Sequence, residues 1–210
     1  MTEAEAYEVA HHEAAHCVMS IMKNCLVRRI EVYDPPKDGA QGVCVHQACD
    51  HWQDEVWICL AGPIADSIRT GKAEHHHYNF GGSADFDKAE KAICDWLLPA
   101  VPAELVPVIG ADPLKYLDAV WGQWEAPVRG QQKRKLTLYT KKLLRAHQFA
   151  LEILHGEARM VRAFLLETPG ILDAIEFLAT RLTEKRRLET SEIIDLLNDV
   201  WNAPRYRMAA

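Results

Sequence analysis

The sequence predicts a mainly helical protein with one small β-hairpin. Three features predict it: apolar residues at three- and four-residue spacing near both ends of the chain, strand-like alternation confined to residues 27–46, and helix-forming residues crowding the first twenty positions. With 210 residues, 49% of them apolar and 26% charged, the chain has the composition of an ordinary globular protein. Its organisation reads as residues 1–97 carrying the chemistry, a Pro-rich loop and connector at 98–135, and a C-terminal helical part at 136–210 that joins the first in one compact unit.

The formal charge of −6 argues against a general nucleic-acid binder, which needs a basic face. No run approaches 18 apolar residues, and the chain opens on acidic residues instead of a basic stretch. Neither a membrane span nor a secretory signal is therefore expected. Cys17, Cys25, Cys44, Cys49, Cys59 and Cys94 contain no C-x-x-C pair, so they read as reduced thiols of a cytoplasmic protein.

In chain order, Ala4, Ala6, Val9, Ala10, Ala14, Ala15, Val18, Ile21 and Met22 mark a first helix from about Glu3 to Met22. Val27–Tyr33 alternates as a strand, Asp34–Gly39 turns, and Gly42–His46 returns as the second strand. Val56, Trp57, Leu60, Ala61, Ile64, Ala65 and Ile68 place a helix over Asp54–Arg69, with Gly62-Pro63 implying close packing and Thr70-Gly71-Lys72 ending it. Ser83 is the expected N-cap of the next helix. Pro99, Pro102, Pro107 and Pro113 suggest a long surface loop before a short helical piece at Leu114–Trp124. Arg129–Lys135 reads as a connector or the start of a solvated helix. Helical patterns then cover Leu136–Leu166, with a bend near Gly156, followed by Ile171–Leu182 and Ser191–Trp201. The tail from Asn202 should fray.

The stretch that organises the chemistry is His12-Glu13-Ala14-Ala15-His16, an H-E-x-x-H pattern on the first helix. Residues four apart share a helix face, so His12 and His16 can grip one Zn²⁺ through ring nitrogens. Glu13 points about 100° round the helix, where it can reach a water at the metal without ligating. In a chain this rich in histidine and acids the pattern arises by chance on the order of a few per cent of the time, and the helical setting favours the metal reading. A third ligand must come from elsewhere. Asp85 and Asp87 lie about 200° apart on their helix, so only one of them can face the metal. Asp66 competes from the preceding helix.

Cys44, His46, Cys49 and His51 form a second group of possible ligands, in a spacing that matches no standard structural zinc pattern. His75-His76-His77 reads as a solvated loop near the site, with metal ligation or substrate contact as the lesser alternative. The hairpin either covers the core or offers an edge to which an extended peptide adds as a strand.

Four blocks, in the same order along nearly the whole chain, resemble the peptidase domain of the FtsH-type ATP-dependent zinc metalloproteases. Ala6–His16 looks like that family's A-Y-H-E-A-G-H segment, and Leu60–Asp66 is similar to its L-G-G-R-A-A-E segment. Gly81–Asp85 looks like G-A-S-N-D, and Phe177 through Leu197 resembles the closing pair of helices. The resemblance implies a zincin-like helical metallopeptidase fold with a C-terminal helical bundle. It makes His12, His16 and Asp85 the zinc ligands and Glu13 the general base. It does not extend to metzincins, because Met19 stands where their glycine is expected.

No G-x-x-x-x-G-K-[ST] occurs, so ATP dependence and membrane anchoring are not carried over. The expectation is a zinc endopeptidase acting on flexible or unfolded segments, alone or with an unfoldase in trans, as a monomer or as the homo-oligomer (a hexamer) that the resemblance implies. Two alternatives are a helical adaptor with a structural zinc site, and a zinc hydrolase of a non-peptide amide or ester.

Overall fold

The computed structural model describes residues 1–72, 83–121 and 130–202. Among them the protein is mainly helical, with eight helices and one three-stranded antiparallel sheet. The elements in order are α1 (Glu3–Met22), β1 (Val27–Lys37), β2 (Ala40–His46), α2 (Trp52–Thr70), α3 (Ser83–Leu97) and α4 (Val106–Ile109). They continue with α5 (Pro113–Trp121), α6 (Gly130–Glu167), α7 (Ile171–Lys185), β3 (Arg187–Glu189) and α8 (Thr190–Trp201). The expectations for His75-His76-His77, for Gly81-Gly82 and for the tail beyond Asn202 lie outside the described residues.

The chain forms two compact units, Met1–Ala89 with Gly156–Ala210, and Glu90–His155. This division departs from the three parts read along the sequence. Gly156–Ala210 groups with Met1–Ala89, and the second unit takes in the second half of α3 and α6 as far as His155.

In the first unit, α1 is the central element. It starts on a capping box: Thr2 Oγ1 accepts from the Glu5 backbone N–H, and Glu5 Oε2 accepts from the Thr2 N–H at 2.7 Å. Contacts with α2, α7, β1 and β2 surround it. Small side chains make such close approach possible, and Ala6, Ala10, Ala14 and Ala15 are all fully buried. From Glu13 to Ser20 every residue is buried, which brings ionisable groups inside along with the alanines. Facing them, α7 buries Ile171, Ala174, Ile175, Leu178, Ala179 and Leu182.

The hairpin is longer than its alternation predicts. β1 runs to Lys37 and pairs with Ala40, leaving a two-residue loop of Asp38 and Gly39 with φ of 53° and 83°. Positive φ at both loop residues suits the right-handed twist of a hairpin, and Asp-Gly adopts it readily. A short third strand, unanticipated from its three residues, completes the sheet in the order β2-β1-β3. It pairs Leu188 with Ile30, both fully buried. Thr190 Oγ1 then donates to the carbonyls of Val27 and Arg28, tying the start of α8 to β1.

Helix α2 ends at Gly71 in the left-handed conformation, φ 67°. It is anchored to the C-terminal part of α6 by Glu157, a buried carboxylate. Glu157 accepts from Trp57 Nε1 at 2.6 Å and Gln53 Nε2 at 2.7 Å. Phe164 meets the Trp57 ring edge-on at 5.4 Å.

In the second unit the expected long loop is interrupted by two short helices. Two of the four prolines start helices: Pro107 lies in α4 and Pro113 opens α5, where a missing N–H costs nothing, whereas Pro99 and Pro102 lie in irregular chain before α4. Residues 130–135 belong to α6. This unit has its own core of Leu105, Tyr116, Leu117, Leu136, Tyr139 and Leu143.

Candidate metal centre

Helix α1 carries His12 and His16 one turn apart, with ring centroids 4.7 Å from each other. Their Nε2 atoms converge at 3.0 Å. Asp85, in the first turn of α3, brings Oδ2 to 2.9 Å from His12 Nε2 and 3.5 Å from His16 Nε2. A tetrahedral zinc with ligands about 2.0–2.1 Å away has its ligand atoms roughly 3.3 Å apart. The three atoms thus outline one face of such a tetrahedron, slightly contracted.

Hydrogen bonds on the far side of each ring fix which nitrogen faces inward. His16 Nδ1 lies 2.6 Å from the Ile58 carbonyl, which can only accept, so Nδ1 carries a proton and Nε2 is the inward nitrogen. His12 Nδ1 lies 2.8 Å from Asp66 Oδ2, and the other oxygen of Asp66 meets His11 Nδ1 at 3.0 Å. Asp66 is therefore no competitor for the metal. It stands behind His12, as carboxylates behind metal-bound histidines do. Asp87 is exposed and belongs to no ligand group among the described residues. The helical rotation that separates it from Asp85 keeps it out of the His12–His16 group.

The electrostatics favour a cation at the convergence point. Burial opposes charging His12, but hydrogen bonds to Asp66 and Asp85 outweigh it and push the pKa up to about 10. Burial likewise opposes charge on Asp85, yet His16 and His12 hold its carboxyl well below the usual range. Its second oxygen accepts from Lys88 Nζ at 3.1 Å.

Glu13 is buried beside this group. Burial raises its pKa above the ordinary carboxylate value, against the pull of His12 and His16. Two glycines that sequence reasoning did not assign to the site shape its walls. A Cβ on Gly62 would stand 2.5 Å from His16 Nε2 and 2.7 Å from His12 Nε2, so α2 leaves open the space in front of both nitrogens. A Cβ on Gly42 would stand 2.8 Å from Glu13 Cγ and 2.7 Å from Val9 Cγ1, so β2 runs directly against the base. The Gly62-Pro63 pair was the one sequence signal for the first of these. Nothing in the sequence marks the second. His12, His16, Asp85, Gly62 and the Asp66 support suit a zinc-class ion.

The second sequence group divides. His46 and Cys49 come together with Glu55, their ligand atoms all within 4.8 Å. Cys44 turns instead toward Cys17 and Ser20; the hydrogen bond with Cys17, then burial, raises its pKa well above the usual thiol value. His51 is exposed at the start of α2. In the second unit, Glu90, Cys94 and His147 form a further trio, with His147 Nε2 2.7 Å from Glu90 Oε1. No model of a known protein family matches the chain, and no curated protein matches it.

Proposed function

We propose that this protein is a zinc-dependent endopeptidase. The observation that carries the reading is the convergence of His12 Nε2, His16 Nε2 and Asp85 Oδ2 on one point, with a buried Glu13 beside it. Three ligands leave a fourth position open, which a purely structural site would close. Zinc bound there supplies Lewis acidity toward a carbonyl oxygen and toward water. Glu13 accepts the proton of the attacking water and delivers it to the departing amine, work that a ligand carboxylate cannot do. Asp66 holds the His12 ring in register, and the Ile58 carbonyl does the same for His16.

Strand β2 favours a peptide over a small ester as substrate. Among the described residues it pairs on one side only, with β1, and it runs past Glu13 at Gly42. An extended chain adding to that edge would bring its carbonyls alongside the base. Flexible or unfolded segments can adopt this shape, alone or fed by an unfoldase in trans. The adaptor reading leaves the buried base unexplained.

The test is degradation of fluorescently labelled casein by zinc-loaded protein, with and without a chelator. Glu13→Gln should retain stoichiometric zinc and lose about 10²–10⁴-fold in rate. Full turnover by that variant, or by the chelated protein, would refute the assignment.

A further inference from the structure

The base of the hairpin holds a second set of ligand groups that the proposed hydrolysis does not use. Cys25 lies in the link from α1 to β1, His46 is the last residue of β2, Cys49 lies in the link to α2, and Glu55 is in the first turn of α2. Cys49 is the meeting point: His46 and Glu55 share one ligand group with it, and Cys25 touches it from the other link. His46, Cys49 and Glu55 have their ligand atoms within 4.8 Å of one another, and Cys25 Sγ lies 2.7 Å from Cys49 Sγ. Both thiols are free. We propose that Cys25, His46, Cys49 and Glu55 hold a second divalent ion of the zinc class, which clasps the hairpin to α1 and α2.

The donor set decides the class of ion. Two sulfurs, an imidazole and one carboxylate suit Zn²⁺, whereas Mg²⁺ and Ca²⁺ seek oxygen. His46 Nδ1 donates to the Gln47 carbonyl at 2.8 Å, which leaves Nε2 for the metal. Binding releases the two thiol protons to solvent, and the cation offsets the charge of the two thiolates so formed and of the Glu55 carboxylate. Tetrahedral zinc sets two thiolates roughly 3.8 Å apart, so metal entry requires the two sulfurs to part by about 1 Å from their 2.7 Å separation.

The backbone already draws these links together. The Cys25 N–H donates to the Ser20 carbonyl at 2.8 Å, the Gln47 N–H donates to the Leu26 carbonyl at 2.8 Å, and Asn24 takes the turn with φ 58°. Lys23 bridges to α2 through Asp54 at 3.4 Å and lies 3.6 Å over the Trp57 ring. Four ligands close the coordination sphere, so the site acts as a clasp and leaves no position for substrate. The elements it joins carry His12, Glu13, His16, Gly42 and Gly62.

The experiment counts metal by elemental analysis in reduced protein loaded with zinc. It is followed by cobalt replacement, where thiolate ligation adds an intense near-ultraviolet charge-transfer band. Wild type should hold about two ions per chain, and His16→Ala and Cys49→Ser about one each. Cobalt-loaded His16→Ala should keep the charge-transfer band, which reads the second site without disturbing its cysteines. Absence of that band in cobalt-loaded wild type and His16→Ala would overturn the proposal, as would a Cys25–Cys49 disulfide whose reduction gives no metal uptake. Failure of the His12–His16–Asp85 site alone would appear differently, as one ion per wild-type chain that Cys49→Ser removes.

Discussion

Gly62 on α2 faces His16 on α1 so closely that a methyl group on the glycine would stand 2.5 Å from the imidazole Nε2. Helix interiors ordinarily favour alanine over glycine by about 1 kcal/mol. Here the glycine keeps clear the space toward which His12, His16 and Asp85 converge. Gly62→Ala should therefore keep its helix content by circular dichroism while its zinc affinity falls about 10–100-fold, a loss of the size seen when metal ligands are mispositioned. Unchanged affinity in a metal-competition titration would show that the space in front of the nitrogens is not the metal position.

Gly42 makes the complementary test on the opposite wall. Its substitution by alanine crowds Glu13 Cγ and Val9 Cγ1, and neither histidine supplies any of the three nearest atoms. Gly42→Ala should bind zinc normally but cleave casein about tenfold or more slowly, because a displaced base costs rate without costing metal. Equal losses of metal and activity would assign Gly42 a structural role instead.

Asp66 links two histidines by separate oxygens. In Asp66→Asn only one oxygen can accept, and the amide nitrogen would meet a ring N–H donor to donor. Zinc affinity should fall about 10–100-fold, as expected when the group behind a metal-bound histidine is changed. His11→Ala, which keeps the His12 contact, should cost less. Isothermal titration with zinc ranks the two, and the reverse ranking would contradict the arrangement.

Glu157 concerns stability alone. Glu157→Leu leaves the Trp57 indole N–H and the Gln53 amide without their acceptor. Orphaning a buried donor costs about 1–3 kcal/mol, so urea unfolding should shift by that amount. A shift within the error of the linear extrapolation would mean that water replaces the carboxylate.

Cys94 supplies a pH dependence away from both proposed metal sites. Burial raises its thiol pKa to about 12, with Glu90 and Asp95 adding to the effect. The unfolded thiol titrates near 8.5. The folded state therefore keeps a proton that the unfolded chain has already lost. This contribution is fully present below about pH 8.5 and disappears as pH rises toward 12. Wild type should lose stability more steeply than Cys94→Ala between about pH 9 and 11, and folded Cys94 should resist iodoacetamide. Parallel stability curves would count against it.

Local information carried the helices and the two histidines a long way. α1 spans the expected Glu3–Met22, because capping, propensity and apolar spacing all act within one or two turns. His12 and His16 share a face for the same reason, since helix geometry alone places residues four apart together. The three-residue strand β3 carried too little pattern to be read, and the prolines of α4 and α5 misled because the same residue breaks helices and starts them.

By itself, then, the sequence determined a mainly helical chain and the pairing of two imidazoles with an adjacent carboxylate, since neighbouring residues alone decide these. Only the tertiary structure decided that Asp85 faces the histidines while Asp66 stands behind His12. It also decided that Gly42 and Gly62 border the site, and that Cys44 leaves the company of His46 and Cys49. Each of these depends on how elements dozens of residues apart rotate against α1, and that rotation follows from burying small side chains around a central helix, which no local spacing records.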